Sequence, residues 1–187
     1  MHPQLAVIAA ELADTGARAT ELVQGLDETA FHARPDPPGW SVAECVAHLN
    51  LMDEAMLPRI DAAILEAQTA GTDPARRYRR DVVGWLLSYS LDPPSRVRTR
   101  TTPPFVPAST GSRETVLSRF MDLRVDLGHR LEAASGLDLN RVRVRSPINA
   151  KLSYNLYSAF RVIAAHERRH LWQAEQVRAR LGPATGS

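Results

Sequence analysis

Two histidines four residues apart, near the C-terminal end of the chain, are the strongest chemical signal in the sequence. His166 and His170 share one face of a predicted helix with Ile163 and Val177, so both imidazoles point toward its apolar side. A buried imidazole needs a hydrogen-bond partner or a metal, because leaving it unsatisfied costs about 1–3 kcal/mol. The spacing suits two-point coordination of one divalent ion. The alternative to metal coordination is that both rings make structural hydrogen bonds inside the core.

The segment that carries these histidines, His-Glu-Arg-Arg-His, also matches the zinc-protease pattern His-Glu-x-x-His. That pattern needs a third ligand downstream. Residues 171–187 contain a single acid, Glu175, and they lack the Gly and the further His of the extended pattern. The sequence therefore argues against a metalloprotease and places the third ligand upstream.

His48 is the upstream histidine best suited to complete the site. The upstream histidines are His2, His32, His48 and His129. Only His48 lies on the apolar face of a predicted helix, beside Cys45. A histidine in this position, taken alone, would more often be a core residue with its hydrogen bonds satisfied. The inward-facing pair His166 and His170 instead favours one metal site shared by all three histidines. We therefore predict one divalent metal ion held by His48, His166 and His170.

Other side chains near these histidines are candidates for supporting roles. Glu44 lies one turn before His48 and could accept a hydrogen bond from its second ring nitrogen, and Glu167 could act as a base beside the metal. A helix cap and a surface acid are the simpler interpretations of these two. Gln173 could orient the last histidine. A low-pKa thiol at Cys45 is less favoured than a buried inert one.

The elements that must position these residues are four amphipathic helices. The predicted helices are residues 3–26, 42–70, 112–136 and 153–181. The second begins after a capping box, Ser41 to Glu44, and is expected to bend at Pro58. The fourth is expected to stop at Gly182–Pro183. The predicted fold is an all-α four-helix bundle.

Residues 72–112, between the second and third helices, are rich in Arg and Pro, and Asp81–Ser90 is the only plausible short helix among them. We interpret this segment as a long crossover that changes the bundle topology, with a surface excursion as the alternative. Within it, Arg76–Arg80 could hold the carboxylates of a cosubstrate or, as the weakest interpretation, bind nucleic acid. A solvated face is favoured over both.

Bulk properties predict one domain over residues 1–187. The chain has 187 residues, 44% of them hydrophobic, and a formal net charge of only +2, which gives no indication of nucleic-acid binding. Its single cysteine excludes an intrachain disulfide and fits a reducing compartment. The sequence shows no secretion signal and no apolar run of about 18–20 residues, so a cytoplasmic protein without membrane contact is expected.

Short motifs spread along the chain resemble the DinB-like or YfiT-like family of metal-dependent enzymes. Trp40-Ser41 followed by His48 resembles the start of that family's second helix, and His166-x-x-x-His170-x-x-Gln173 resembles its signature in the last helix. The segment Pro103–Pro107 and the loop around Pro147 resemble the subgroup labelled DinB_2.

This resemblance implies an up-down bundle with a long crossover, and zinc or nickel as the metal of the three-histidine site. It implies transfer of a low-molecular-weight thiol to an electrophile, which we favour, or metal-dependent hydrolysis. A bundle that binds a metal or an organic ligand without catalysis is the third possibility. The expected partner is a small-molecule substrate, and binding to nucleic acid or to a membrane is not expected. The chain could also form a homodimer.

Overall fold

The computed structural model describes residues 1–36, 39–69, 71–73, 75–94 and 101–181. The helices are α1 (Pro3–Gln24), α2 (Glu28–His32), α3 (Val42–Gln68), α4 (Val82–Leu91), α5 (Arg113–Ala133) and α6 (Leu156–Leu181), with a 3-10 turn at Pro103–Phe105. Strands β1 (Arg143–Arg145) and β2 (Ser153–Asn155) pair antiparallel. The four long helices α1, α3, α5 and α6 form the predicted four-helix bundle, which is thereby confirmed.

Two predicted helix ends need comment. The last helix begins at Leu156 rather than Ser153, because residues 153–155 are extended and pair with β1. The predicted ends at Ala70 and at Gly182–Pro183 lie outside the described residues.

The long helices are not arranged in chain order around the bundle. α3 packs against α5 and α6, and α1 packs against the same two helices, so α1 and α3 occupy opposite corners. α1 and α6 run in the same direction, since Glu11 contacts Arg161 near one end and Arg18 contacts Glu175 nearer the other. The diagonal arrangement requires the chain to cross an end of the bundle between α1 and α3.

α3 and α5 also run in the same direction as each other, because Glu54 pairs with Arg119 and Asp61 with Arg130. α3 is antiparallel to α6, as shown below by the histidines that join them. The directions of the four long helices are therefore up, down, down and up. The two middle helices therefore share one direction, which is the change of topology that the long crossover was predicted to make.

This topology explains the long crossover between α3 and α5, which the structure confirms. α3 has 27 residues and is about 40 Å long, so a chain that repeats its direction must first return over that length. α4 carries part of the return, lying along α6 with Gly84 beside Ser158 and the Ser90 carbonyl accepting from Arg169. The 3-10 turn that follows brings the chain back to α3.

A buried polar layer divides the core into two apolar clusters. It takes one side chain from each long helix: Thr15, Asp53, Arg124 and Glu167. Arg124 pairs with Asp53 and with Glu167, at 3.0 Å from the latter, and the Thr15 hydroxyl donates to Glu167 at 2.6 Å. Burial of these polar side chains is tolerated because each has a partner within the layer. No helix in the described part of the chain is both long and apolar enough to cross a membrane.

Candidate metal centre

Three histidine side chains converge between α3 and α6. The Nε2 atoms of His48 and His166 are 3.2 Å apart, and the ring of His170 lies 4.4 Å from that of His48 and 4.5 Å from that of His166, centroid to centroid. One ligand atom from each ring lies within 4.8 Å of the others. The structure thus brings together all three histidines predicted from the sequence, although His48 lies 118 residues before His166 along the chain.

Local sequence sets the orientation of each contributing helix. The Ser41 side chain accepts from the Glu44 amide at 3.1 Å, and the Glu44 carboxylate accepts from the Ser41 amide at 2.9 Å, which completes the predicted capping box. With the start of α3 determined in this way, His48 falls on its buried face. On α6, the i,i+4 spacing puts His166 and His170 one turn apart on the face toward α3.

The crossover supplies the outer partner of His48. Nδ1 of His48 donates to the carbonyl oxygen of Phe105 at 2.7 Å, at the end of the 3-10 turn. This bond leaves the Nε2 lone pair free and directed toward the other two rings, as in ligands whose second nitrogen is held by a carbonyl. Nothing in the sequence signals this contact. A backbone carbonyl has no residue signature, and only Pro103–Pro104 hinted at a turn.

All three imidazoles are neutral at neutral pH. Burial lowers the pKa of His48, and burial together with His48 and Arg169 lowers the pKa of His166 to about 3. Burial, followed by the other two histidines and Arg169, holds the pKa of His170 well below its ordinary value. Metal ions bind the neutral imidazole, so none of the three rings has to lose a proton before it can bind a cation at neutral pH.

The donor set fits one divalent ion. Zinc binds imidazole nitrogen at about 2.0–2.1 Å, so two ligands at a tetrahedral angle lie about 3.3 Å apart. The Nε2 atoms of His48 and His166, at 3.2 Å, match that separation. Nδ1 of His170 is buried without a hydrogen-bond partner among the described residues, so the protein itself leaves this nitrogen unsatisfied.

The centre is closed on one side and open on another. His48 and His170 are 3% and 8% exposed, whereas His166 is only partly buried. Trp40 covers the first two, with its rings 5.0 Å from that of His48 and 5.9 Å from that of His170. A small molecule would therefore approach from the side of His166. No role at the site was predicted for Trp40, although it directly precedes the capping box.

Glu44 does not contact His48 in the predicted way. Its carboxylate pairs with Arg34 and accepts from the Ser41 amide, and these interactions outweigh burial and lower its pKa. The predicted hydrogen bond is wrong, because the Phe105 carbonyl takes the second ring nitrogen of His48. Glu44 acts as the cap of α3.

Glu167 is neither a surface acid nor directed at the histidines. Its side chain is fully buried in the polar layer, where Thr15 and Arg124 bind its carboxylate. The metal-ligating cluster found among the described residues consists of histidines alone. The predicted base therefore faces α1 and α5, and the centre lacks a carboxylate of its own.

Two further predicted neighbours have different outcomes. Gln173 interacts with His170 and raises its pKa, which opposes part of the lowering by burial and agrees with an orienting role. Cys45 is buried, and burial followed by Glu44 raises the pKa of its thiol to about 12. An activated Cys45 is thus excluded in favour of the buried inert thiol.

The basic segment 76–80 lies toward the other end of α6. The Arg79 carbonyl accepts from Asn155 at 2.8 Å, and Arg76 pairs with Asp138 at 2.7 Å. Asn155 directly precedes α6, and His166 lies about 15 Å further along that helix. This segment does not face the histidines, which argues against its holding a cosubstrate there.

Comparison with known proteins adds a family and a fold. The family model described as the DinB superfamily matches residues 11–174. Among solved structures, the chain is similar to YfiT from Bacillus subtilis, described as a probable metal-dependent hydrolase with an unusual four-helix bundle topology. The two share 16% identity with a TM-score of 0.62, over 97% of this chain and 90% of that one. No curated protein matches the chain.

Proposed function

The chain belongs to the DinB superfamily, and from this premise we propose that it is a metal-dependent enzyme that activates a low-molecular-weight thiol for transfer to an electrophile. The proposal assigns His48, His166 and His170 as ligands of one divalent ion, zinc or nickel. The observation that carries it is the convergence of three neutral imidazoles on a partly open centre.

The composition of the cluster favours a thiol as the nucleophile. A divalent ion supplies Lewis-acid activation, which lowers the pKa of a thiol or water. A thiol with an ordinary pKa of about 8.5 needs less activation than water, whose pKa is about 15.7. With Glu44 capping α3 and Glu167 in the polar layer, the described residues place no carboxylate at the centre to take a proton from water.

The protein's own residues hold and shield the centre. The Phe105 carbonyl fixes the tautomer of His48, and we assign to Gln173, which raises the pKa of His170, the orientation of that ring. Trp40 limits water on the covered side, which keeps the local dielectric low. The open side at His166 is where the thiol and the electrophile would meet.

Metal-dependent hydrolysis is the second candidate. YfiT, which shares the fold, is described as a probable metal-dependent hydrolase. Three histidines with an open position also form the ligand set of some hydrating and hydrolytic zinc sites. A bundle that binds metal without turnover is the remaining alternative.

One set of measurements separates these functions. Untagged protein is analysed for bound metal, then assayed with glutathione or cysteine plus a panel of electrophiles, and separately with ester and amide substrates. We expect stoichiometric zinc or nickel and thiol-dependent product, with both lost in His48→Ala and His166→Ala. His129→Ala, an exposed histidine of α5, is the matched control.

The outcomes discriminate clearly. Product without added thiol supports hydrolysis, and bound metal with no product in either assay supports the non-catalytic bundle. A protein that takes up no metal when supplied with zinc or nickel would overturn the proposed centre itself.

A further inference from the structure

The buried polar layer connects the two helices that carry the histidines. Asp53 follows His48 by five residues on α3, which is about 7.5 Å along the helix. On α6, Glu167 directly follows His166. One guanidinium of α5 contacts both carboxyl groups, because Arg124 places Nη2 against Asp53 and Nη1 3.0 Å from Glu167. α3 and α6 are therefore joined through a third helix, within five residues of a proposed ligand on each.

The two central members of the layer are each held from a second side. The guanidinium carbon of Arg124 lies 4.1 Å from the centre of the Phe120 ring, a favourable cation–π contact. The Thr15 hydroxyl of α1 donates to Oε2 of Glu167 at 2.6 Å, and Oε1 faces Arg124. None of these four side chains is more than 8% exposed. A buried polar network with fixed partners favours one arrangement of the helices around it.

A gain in stability does not explain why the core contains such a layer. Taking guanidinium and carboxyl groups out of water costs about as much free energy as their contacts return, and apolar side chains of similar volume are often equally stable there. The layer also separates two clusters of apolar side chains. Buried polar groups are useful where helices need one register, because their contacts are directional and apolar contacts are not.

The metal centre is where the register of these helices matters. The Nε2 atoms of His48 and His166, 3.2 Å apart, come from α3 and α6. Metal–nitrogen distances vary by only about 0.2 Å around their ideal values, so a larger slide or rotation of one helix against the other disturbs the coordination. His170 moves together with His166, since both lie on α6. The alignment of α3 with α6 thus decides whether the three nitrogens reach one ion.

We propose that Arg124 is a positioning residue of the metal centre. By binding Asp53 and Glu167, it sets the alignment of α3 with α6. That alignment in turn sets the separation of His48 from His166. The inference rests on the proposed metal centre and not on thiol transfer, because it concerns only how the ligands are held. Arginine suits this role because its planar guanidinium directs several donors in a rigid fork and so holds two acceptors at once.

A second arginine of α5 provides a matched control. Arg130 pairs with Asp61 of α3 at 2.8 Å and with Asp126 of its own helix at 3.8 Å. Among the described residues, its ion pairs thus join α5 to α3 without including α6. Arg130→Met removes an ion pair between two bundle helices and leaves the connection between the histidine-bearing helices intact.

Replacing the whole layer by apolar side chains separates alignment from stability. The layer variant carries Asp53→Leu, Arg124→Met and Glu167→Met. Thr15 keeps a partner in it, because its hydroxyl also donates to the Leu12 carbonyl at 2.9 Å. With a chelator present, we expect this variant to be about as resistant to urea as the wild type. Its affinity for Co²⁺ should fall at least about tenfold, as when a metal ligand loses an outer partner.

Co²⁺ is the probe because its visible absorption reports both affinity and coordination geometry. Metal-free full chains are titrated with Co²⁺, and circular dichroism checks that each is folded. We expect the layer variant to bind weakly with an altered spectrum, and Arg130→Met to match the wild type in both respects. Arg124→Lys keeps the charge and the fold even if the layer variant does not fold. It should still bind Co²⁺ more weakly than the wild type, because a flexible ammonium does not hold two carboxyl groups in one geometry.

The outcomes distinguish this inference from the proposed function. A wild type that binds no Co²⁺ overturns the metal centre and the inference together. A wild type that binds, with equal affinity and an unchanged spectrum in the layer variant or in Arg124→Lys, overturns the inference alone. An equal loss in Arg130→Met also overturns it, because any weakened contact between helices would then have the same effect.

Discussion

Nδ1 of His48 lies 2.7 Å from the carbonyl oxygen of Phe105, a residue 57 positions away in the crossover. This hydrogen bond connects the most unusual feature of the topology, the long return between two parallel helices, to the candidate metal centre. The crossover is therefore more than a connection. It orients one of the three proposed ligands from outside the bundle.

Weakening this contact should lower metal affinity. Phe105 is 9% exposed, so Phe105→Ala removes the anchor that holds its carbonyl against His48. Loss of an outer partner of a metal ligand typically costs about 10–100-fold in affinity. Titration with Ni²⁺, followed by quenching of Trp40, whose ring lies 5.0 Å from that of His48, gives the affinity. Val106→Ala, at a neighbouring exposed residue, should leave it unchanged.

The metal-free protein should lose stability as the pH falls below neutrality. The pKa of His166 is lowered to about 3 in the folded state, by burial first and then by His48 and Arg169, and its ordinary value is 6.5. Above 6.5 the ring is neutral in both states and contributes its full stability. Between 6.5 and about 3 only the unfolded chain binds the proton, so the free energy of unfolding decreases.

Urea unfolding between pH 7 and pH 4, with a chelator present, measures this effect. His166→Gln should show a shallower decrease because it cannot take up the proton. An unchanged pH dependence in that variant would show that His166 is not held in its neutral form in the folded protein.

The polar layer should respond to pH in the opposite direction. Burial, opposed by Arg124, raises the pKa of Glu167 to about 8 from an ordinary value of 4.5. Its contribution to stability is complete below 4.5 and is lost as the pH rises through about 8, where the folded state must ionise a buried acid. Glu167→Gln keeps an acceptor for the Thr15 hydroxyl and should reduce the alkaline loss. Thermal unfolding at pH 5 and pH 9 tests this, and an equal loss in both proteins would contradict it.

Two glycine substitutions should have opposite effects. Gly84→Ala places a methyl group 2.2 Å from the Ser158 Cβ and must push α4 away from α6, which should cost about 1–3 kcal/mol or more. An added Cβ at Gly128, inside α5, meets nothing within 4 Å, so Gly128→Ala should stabilise by about 0.5–1 kcal/mol. Denaturant unfolding of both variants at pH 7 checks the pair. A stable Gly84→Ala protein would mean that α4 docks differently.

Much of the fold and part of the site followed from local patterns. Helical periodicity predicted the four long helices, the capping box predicted the start of α3, and the i,i+4 spacing predicted that His166 and His170 share a buried face. These features depend on residues within one or two turns of each other, so the sequence alone contains the information. His48 was reached by excluding the other upstream histidines, with support from the family resemblance around Trp40 and Ser41.

The tertiary structure decided the rest, because the remaining contacts join distant parts of the chain. The direction of α5 depends on which residues of α1 and α3 it packs against. Both carboxylates predicted to assist the metal instead form ion pairs with arginines from other elements, Glu44 with Arg34 and Glu167 with Arg124. The partner of His48 is a backbone carbonyl, an atom that every residue possesses. The sequence by itself determined which side chains could bind a metal, and the packing decided what surrounds them.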